Sequence, residues 1–114
     1  MDACIFCQIK ERKLPAKIVY EDELALAFED LHPQAPTHVL VIPKKHIASL
    51  NELQPEDEAL VGHLLTVGKH LAKEKGVDAR GWRAVLNCNR DAGQTVFHIH
   101  LHLLGGRTMR WPPG

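Results

Sequence analysis

The stretch FHIHLHLLGG (residues 97–106) places a histidine at every second position and large apolar residues between them. Successive side chains of a β-strand point to opposite faces, so residues two apart share a face. The pattern therefore predicts a strand with a face of imidazoles and a face that enters the core. The imidazoles are those of His98, His100 and His102, and the core side chains are Phe97, Ile99, Leu101 and Leu103.

Further strands are predicted on both sides of this stretch. Each candidate is short, rich in β-branched or large apolar residues, and bounded by turn-forming residues. They are AKIVYED (16–22), ALAFED (25–30), THVLVIP (37–43), WRAVLNCN (82–89) and the histidine segment itself, TVFHIHLHLL (95–104). This makes about five strands. Most connections are too short for a parallel crossover, so we expect an antiparallel sheet.

One long helix is predicted over QPEDEALVGHLLTVGKHLAKEKG (54–76). Pro55 suits its first turn, acidic residues follow it, and Gly76 suits its end. Its apolar residues recur at spacings of three and four, as on one helix face. They are Leu60, Val61, Leu64, Leu65 and Leu71. With a second, short helix over CIFCQIKER (4–12), the fold class is α+β, with the long helix on one face of the sheet.

Length and charge narrow the possible roles. The 114 residues predict a single domain over 1–114, with an extended tail over about 107–114 because Pro112 and Pro113 interrupt regular structure. The 14 basic and 14 acidic side chains cancel, which argues against nucleic acid or a membrane surface as a partner. MDACIFCQIKERK is too polar and too short for a signal peptide, and we expect a cytoplasmic protein.

Three interpretations of the histidine face follow from the residues alone. It could be a polar face in solvent, or a metal centre in which His-x-His offers two ligands to zinc. It could also perform phosphoryl chemistry, in which a neutral imidazole attacks phosphorus while neighbouring imidazoles stabilise charge. The loop NCNRDAGQT (87–95) favours the third interpretation, because its amides, hydroxyl and Gly93 suit the binding of an anion.

The motifs also resemble those of a known family. The histidine pattern, together with DLHPQAPTHVLVIPKKHI (30–47), AGQTVFHIHLHLLGGR (92–107) and WPPG (111–114), resembles the histidine triad (HIT) family and its Hint branch. The resemblance runs from about Ile5 to Gly114. It implies a HIT-like fold and a homodimer whose tail, with Trp111, reaches toward the partner's active site. It also implies hydrolysis of the P–N bond of purine nucleoside 5′-phosphoramidates, such as adenosine phosphoramidate and AMP-lysine.

The resemblance assigns a catalytic role to the histidines. His100 corresponds to the nucleophile that forms a nucleotidyl-histidine intermediate, after which water releases AMP or GMP. His102 and His38 correspond to residues that flank the phosphate, as oxyanion stabiliser and leaving-group acid, and His98 completes the triad. Asp30 corresponds to the residue that binds the ribose hydroxyls.

The resemblance also implies the walls of a nucleotide site. Leu31 corresponds to a residue beside the base, and Ile5, Phe6, Ile9, Leu14 and Phe28 to an apolar base slot, although plain core is an equally good interpretation of each. The phosphate side corresponds to Asn87, Gly93, Gln94 and Thr95. His32, His63 and His70 are assigned no role.

Cys4 and Cys7 have the C-x-x-C spacing of zinc sites, which need two further ligands. In some family members the first triad histidine and an upstream histidine complete a Cys2His2 site, and these correspond to His98 and His46. A zinc ion there would be structural, and the chemistry would need no cofactor. The alternative is that the thiols are merely buried and His98 orients His100. Cys88, in an apolar run, is interpreted as a packing residue.

Other functions stay open at this stage. Dinucleoside polyphosphate hydrolysis, as in the Fhit branch, and nucleotidyl transfer are close enzymatic alternatives. A nucleotide-sensing adaptor would bind AMP without turning substrates over. A purely structural zinc module would leave Asp30, Asn87 and Thr95 without a purpose.

Overall fold

The central strand of the sheet is the apolar segment THVLVIP (37–43), which carries His38. The computed structural model describes residues 4–114, so residues 1–3 of the predicted domain lie outside the described part. The strands are β1 (Ile18–Glu21), β2 (Ala25–Glu29), β3 (Thr37–Pro43), β4 (Trp82–Val85) and β5 (Leu101–Gly105). They form one sheet in the order β1-β2-β3-β5-β4, and every neighbouring pair is antiparallel. The predicted five-stranded antiparallel sheet is confirmed.

The helices are α1 (Ile5–Lys10), α2 (Glu58–Glu74) and a single turn, α3 (Asn89–Ala92). Two 3-10 turns, Leu50–Glu52 and Pro55–Asp57, lead into α2. The predicted long and short helices are both confirmed. The buried stripe of α2 is Leu64, Val67, Gly68, Leu71 and Ala72, whereas Leu65, predicted on that stripe, is 44% exposed.

The two faces of the sheet carry separate apolar clusters. On one face α2 packs over residues that include Val39, Leu101 and Leu103. On the other face Phe6 and Ile9 of α1 pack against a smaller set of β-strand residues. These are Leu26, Phe28, Leu40 and Ile42. The second face, which is covered only in part by a short helix, is the face that carries the histidines.

The predicted strand over 95–104 is wrong in its first half. The pairing of β3 with β5 ends at Val41 opposite Leu101. Two residues further along β3, Pro43 has no N–H to continue a ladder, and the Ile99 N–H donates instead to the Ile47 carbonyl at 2.8 Å. Phe97, predicted in the core, is 48% exposed.

The paired glycines that follow the histidines let the chain pass close to its neighbours. A Cβ on Gly105 would lie 2.9 Å from the Val77 side chain, and one on Gly106 would lie 2.9 Å from Pro36. Gly106 also has a φ of +94°, where other residues are strained. Gly105 therefore lets β5 approach the segment after α2, and Gly106 lets the chain pass close to the turn that leads to His38.

The predicted strand over 82–89 ends at Val85, and Cys88 is half-buried in the loop before α3. Residues 107–114 contain no helix or strand, and Trp111 is 82% exposed. The Arg83 guanidinium donates to the Arg110 carbonyl at 3.0 Å, which fastens the tail to β4. Within residues 4–114, no helix has the length and apolar character needed to cross a membrane.

Candidate active site

A cavity of about 280 Å³ lies between α1 and the sheet. Nine of the residues named from the sequence line it: Ile5, Phe6, Ile9, Phe28, Asp30, Leu31, Thr95, His100 and His102. One wall is therefore apolar and comes from α1 and β2, and the opposite end carries imidazoles and a carboxylate.

The lining also includes residues that the sequence analysis did not single out. They are Pro15, Ala16, Glu29, His32, Leu40 and Val96. Leu40 could have been found, because it shares a strand face with His38. His32, which was assigned no role, stands at the cavity through its place in the turn after Asp30. Leu14 was predicted to belong to the base slot, but it is not among the described residues that line the cavity.

The loop after β4 contributes less than expected. Among residues 4–114, the cavity lining does not include Asn87, Gly93 or Gln94. Gly93, with φ +92°, ends α3, and its N–H donates to the Arg90 carbonyl at 2.9 Å. This N–H is therefore engaged within the turn.

Gln94 is buried, and both ends of its amide are bound to backbone. Its Nε2 donates to the Ala48 carbonyl at 2.8 Å and to the Val96 carbonyl at 3.1 Å. Its Oε1 accepts from the Asn89 N–H at 2.7 Å. Gln94 thus ties the loop to the segment that follows β3.

His100 is buried beside the cavity. Its Nδ1 donates to the His98 carbonyl at 2.8 Å, which leaves the lone pair on Nε2. The Phe6 ring packs edge-on with a centroid distance of 5.0 Å. Burial lowers the pKa of His100, so the neutral form, which can attack an electrophile, is favoured.

His38 and His102 form a directional chain of hydrogen bonds. The Gln34 backbone N–H donates to Nδ1 of His38 at 3.0 Å, so the proton of neutral His38 is on Nε2. That nitrogen lies 2.9 Å from Nδ1 of His102 and donates to it. The remaining proton of His102 is therefore on Nε2. Burial lowers the pKa of His38 and lowers that of His102 to about 4.

Asp30 joins the cavity to this chain. Its Oδ1 accepts from the His32 N–H at 2.7 Å, which orients the carboxylate. Its Oδ2 lies 3.4 Å from Nε2 of His38. A negative charge here opposes the effect of burial on the pKa of His38 and His102. The carboxylate can accept hydrogen bonds from hydroxyl groups in the cavity.

Behind Phe6, four side chains converge with their ligand atoms within 4.8 Å of one another: Cys4, Cys7, His46 and His98. Nδ1 of His98 lies 3.5 Å from the Cys4 sulfur and 3.6 Å from the Cys7 sulfur. Nδ1 of His46 lies 3.4 Å from the Cys7 sulfur and 3.2 Å from Nδ1 of His98. We call these four residues the Cys-His cluster.

These distances can be compared with the edges of a zinc tetrahedron. Zinc–sulfur bonds of about 2.3 Å and zinc–nitrogen bonds of about 2.0–2.1 Å require S–N edges of about 3.5 Å and an N–N edge of about 3.3 Å. The three S–N distances and the N–N distance given above match these edges, so the donors fit zinc.

The orientation of His98 supports the same conclusion. His98 is fully buried, and its Nε2 donates to the Pro43 carbonyl at 2.8 Å. The lone pair is therefore on Nδ1, which faces the two sulfurs. Burial lowers the pKa of His98 to about 4, which keeps it in the neutral form that a metal requires. Burial raises the pKa of the Cys7 thiol, an effect that a bound cation would reverse.

The remaining histidines lie away from the cavity. Nε2 of His63 lies 2.6 Å from Oδ2 of Asp22, and this pair ties α2 to the turn after β1. Nε2 of His70 lies 3.1 Å from Glu74 one helical turn further on.

Comparison with known proteins finds matches over almost the whole chain. A family model described as "Scavenger mRNA decapping enzyme C-term binding" matches residues 3–110. An uncharacterized HIT-like protein of Synechocystis sp. is 54% identical over 110 residues, which are 96% of each chain.

Two solved structures bear on the site. A HIT family hydrolase from Legionella pneumophila is 52% identical and superposes with a TM-score of 0.96, over 97% of this chain and 99% of that one. A zinc-bound histidine triad family protein from Mycobacterium smegmatis is 38% identical, with a TM-score of 0.80 over 93% of this chain and 76% of that one.

Proposed function

Because the chain belongs to the HIT family, we propose that it is a nucleotide hydrolase that cleaves the P–N bond of purine nucleoside 5′-phosphoramidates. Adenosine phosphoramidate and AMP-lysine are the expected kinds of substrate, and AMP or GMP the product. The observation that carries the proposal is the arrangement at one end of the cavity. There the chain offers a lone pair at His100 and a proton at His102, with the Asp30 carboxylate nearby.

The nucleotide enters with its base in the apolar part of the cavity. Phe6 and Phe28, which pack edge-to-face with centroids 5.4 Å apart, line the slot with Ile5 and Ile9. A flat, apolar base gains from contact with such a surface. The ribose hydroxyls donate to Asp30, and this contact brings the 5′-phosphate to the imidazoles. Thr95 supplies a hydroxyl on the phosphate side.

In the first step Nε2 of His100 attacks phosphorus, an N–P bond forms to the ring, and the P–N bond to the amine breaks. Nε2–H of His102 donates to a phosphate oxygen as negative charge grows there. The departing amine takes its proton from Nε2 of His102, and a proton from solvent replaces it there, because the neutral pair of His102 and His38 holds no proton to spare. In the second step water attacks phosphorus and loses a proton to solvent, the N–P bond breaks, and the nucleoside monophosphate leaves.

Zinc at the Cys-His cluster has a structural part in this proposal. Four protein ligands complete a tetrahedron, which leaves no position for a substrate, so the bound ion would crosslink three chain segments. The reacting groups are then the side chains of the cavity alone, and no cofactor is needed for the chemistry. Reduced thiols at Cys4 and Cys7 fit a cytoplasmic location.

A homodimer completes the proposal. Strand β4 is an edge of the sheet, and the tail beside it carries the exposed Trp111. An edge strand and a large exposed aromatic side chain both suit burial against a second copy of the chain. Sedimentation equilibrium tests this part by itself, with Trp111→Ala to show whether the tail affects turnover of AMP-lysine.

The decisive experiment measures turnover of AMP-lysine by the wild type and by His100→Asn. We expect a loss of at least about 10⁴-fold in kcat, because the nucleophile is removed. His70→Asn, at an exposed histidine of α2, is the matched control and should turn over normally. A nucleotidyl-enzyme trapped by rapid quench in the wild type should be missing in His100→Asn.

Two outcomes would replace the proposal. Undiminished hydrolysis by His100→Asn would refute the covalent mechanism. Binding of AMP without any turnover would make the protein a nucleotide-binding adaptor. A parallel assay with diadenosine triphosphate separates phosphoramidate hydrolysis from dinucleoside polyphosphate hydrolysis.

A further inference from the structure

Helix α1 contributes both to the Cys-His cluster and to the base slot. Its N-cap residue Cys4 and its first-turn residue Cys7 supply two of the four ligand atoms. The same short segment supplies three residues that line the cavity: Ile5, Phe6 and Ile9. A helix this short is unstable alone, so its position depends on what fastens it.

The side chains of Phe6, Ile9 and Lys10 also attach α1 to the sheet. Phe6 and Ile9 pack on the small cluster of the second face, and Lys10 donates to the Lys44 carbonyl at 3.0 Å. Ile5 is 44% exposed. The cluster joins α1 to His46, after β3, and to His98, before β5, which are distant in sequence. A bond that closes such long loops restricts α1 strongly.

Phe6 lies between the two sites. Its ring centroid is 6.0 Å from that of His98, a cluster residue, and 5.0 Å from that of His100, at the cavity. It also contacts Phe28 of β2, which belongs to the same apolar wall of the slot. A shift of α1 would therefore move the ring that separates the cluster from the base.

We propose that metal binding by Cys4, Cys7, His46 and His98 fixes α1 against the sheet and thereby completes the base slot, so that the metal and a purine nucleotide bind cooperatively. The inference rests on the proposed function, since it assumes that the cavity accepts a nucleotide. Coupling between two sites is reciprocal: the metal must raise nucleotide affinity by the factor by which the nucleotide raises metal affinity.

The test uses the full chain with Zn²⁺ and AMP as probes. Calorimetry of AMP binding is compared for the zinc-loaded and the chelated protein, and zinc affinity is measured with and without AMP. We expect both affinities to change by the same factor, in the range of about 5- to 150-fold. In the chelated protein, hydrogen exchange at residues 5–10 should be faster, while the amides of β3 stay protected.

Variants separate this coupling from simpler effects. His46→Asn removes a ligand that is not on α1, and its AMP affinity should no longer respond to zinc. Cys88→Ser removes a thiol outside the cluster, and it should behave as the wild type. Phe6→Ala should keep zinc affinity close to that of the wild type without AMP, but lose the response of zinc affinity to AMP.

The possible failures are distinguishable. If AMP binds equally well with and without zinc, the inference is overturned although the proposed function stands. If chelation also exposes the amides of β3, the metal supports the whole fold rather than α1, and the inference is again overturned. If the zinc-loaded protein neither binds AMP nor hydrolyses AMP-lysine, the proposed function itself fails.

Discussion

His98 and His102 are four residues apart in one alternating stretch, but their rings present opposite groups. The Pro43 carbonyl accepts a hydrogen bond from Nε2–H of His98, so the lone pair is on Nδ1 and faces two sulfurs and another imidazole. His38 donates to Nδ1 of His102, so the proton is on Nε2. A nitrogen with a lone pair can bind a cation, whereas an N–H can donate a hydrogen bond to an anion.

The partner of the far nitrogen therefore determines what each imidazole can bind. His100 follows the same rule, because the His98 carbonyl accepts from its Nδ1 and leaves Nε2 as a nucleophile. The backbone fixes this partner in all three rings, either directly or through the Gln34 N–H and His38. The comparison between the His98 side and the His102 side can be tested by changing one ring at a time.

The largest effect is expected for His102→Asn. Asparagine cannot take part in the proton chain with His38, so kcat for AMP-lysine should fall by about 10²- to 10⁴-fold. Zinc content should not change, because His102 does not belong to the Cys-His cluster. Steady-state kinetics and metal analysis of the same preparation measure both quantities.

His98→Asn is the matched control for that experiment, and its effects should be the reverse. It should lose zinc, and its main kinetic effect should be on KM. If both variants lost zinc and kcat to the same extent, the two sides of the stretch would not be separate sites, and the comparison would fail.

The second prediction concerns acid stability. The pKa of His102 is lowered to about 4 in the folded chain, so between that pH and its ordinary value near 6.5 the unfolded chain binds more protons. The free energy of unfolding should therefore decrease as the pH falls from about 6.5 to about 4, by up to about 3 kcal/mol from this residue. Urea unfolding at several pH values measures the slope.

Metal-free protein is used for this measurement, because release of zinc at low pH would add its own effect. His98 contributes in the same direction in wild type and variant alike. His102→Asn should show a shallower decrease than the wild type. Equal slopes would mean that His102 is not held neutral by burial.

Much of the fold could be predicted from the sequence because its signals are local. The alternation of THVLVIP, the helical spacing after Pro55 and the turn residues between strands all depend on residues a few positions apart. The alternating pattern fails to predict the structure where hydrogen bonding between distant segments determines how far a strand extends. Residues 98–100 leave the β3–β5 ladder beyond Val41, and the sequence does not show where β3 ceases to offer a partner.

The site could be predicted less completely than the fold. Most cavity residues were found through motifs, but Gln94 was interpreted as a phosphate ligand because its amide can donate to an anion. In the structure that amide donates to the carbonyls of Ala48 and Val96. A single sequence does not reveal which of several backbone groups a buried amide will meet. The same limit hid His32, whose place at the cavity depends on how the β2–β3 turn packs.

The smallest effect is expected for Gln94→Met. Gln94 lies where the segment that carries His46 meets the segment that leads to the cavity. Met has a similar shape but leaves the Asn89 N–H and two carbonyls without this partner, which should reduce the free energy of unfolding by about 1–3 kcal/mol. Ala48 follows His46 by two residues, and Val96 follows Thr95 directly. Zinc affinity should therefore fall and KM should rise, both by a small factor. Gln34→Met, at an exposed side chain, should change stability by less than about 0.5 kcal/mol. If Gln94→Met raised KM but left the free energy of unfolding unchanged in urea titrations, the Gln94 amide would act on the phosphate, as the sequence analysis expected. It would then not hold the loop to Ala48 and Val96.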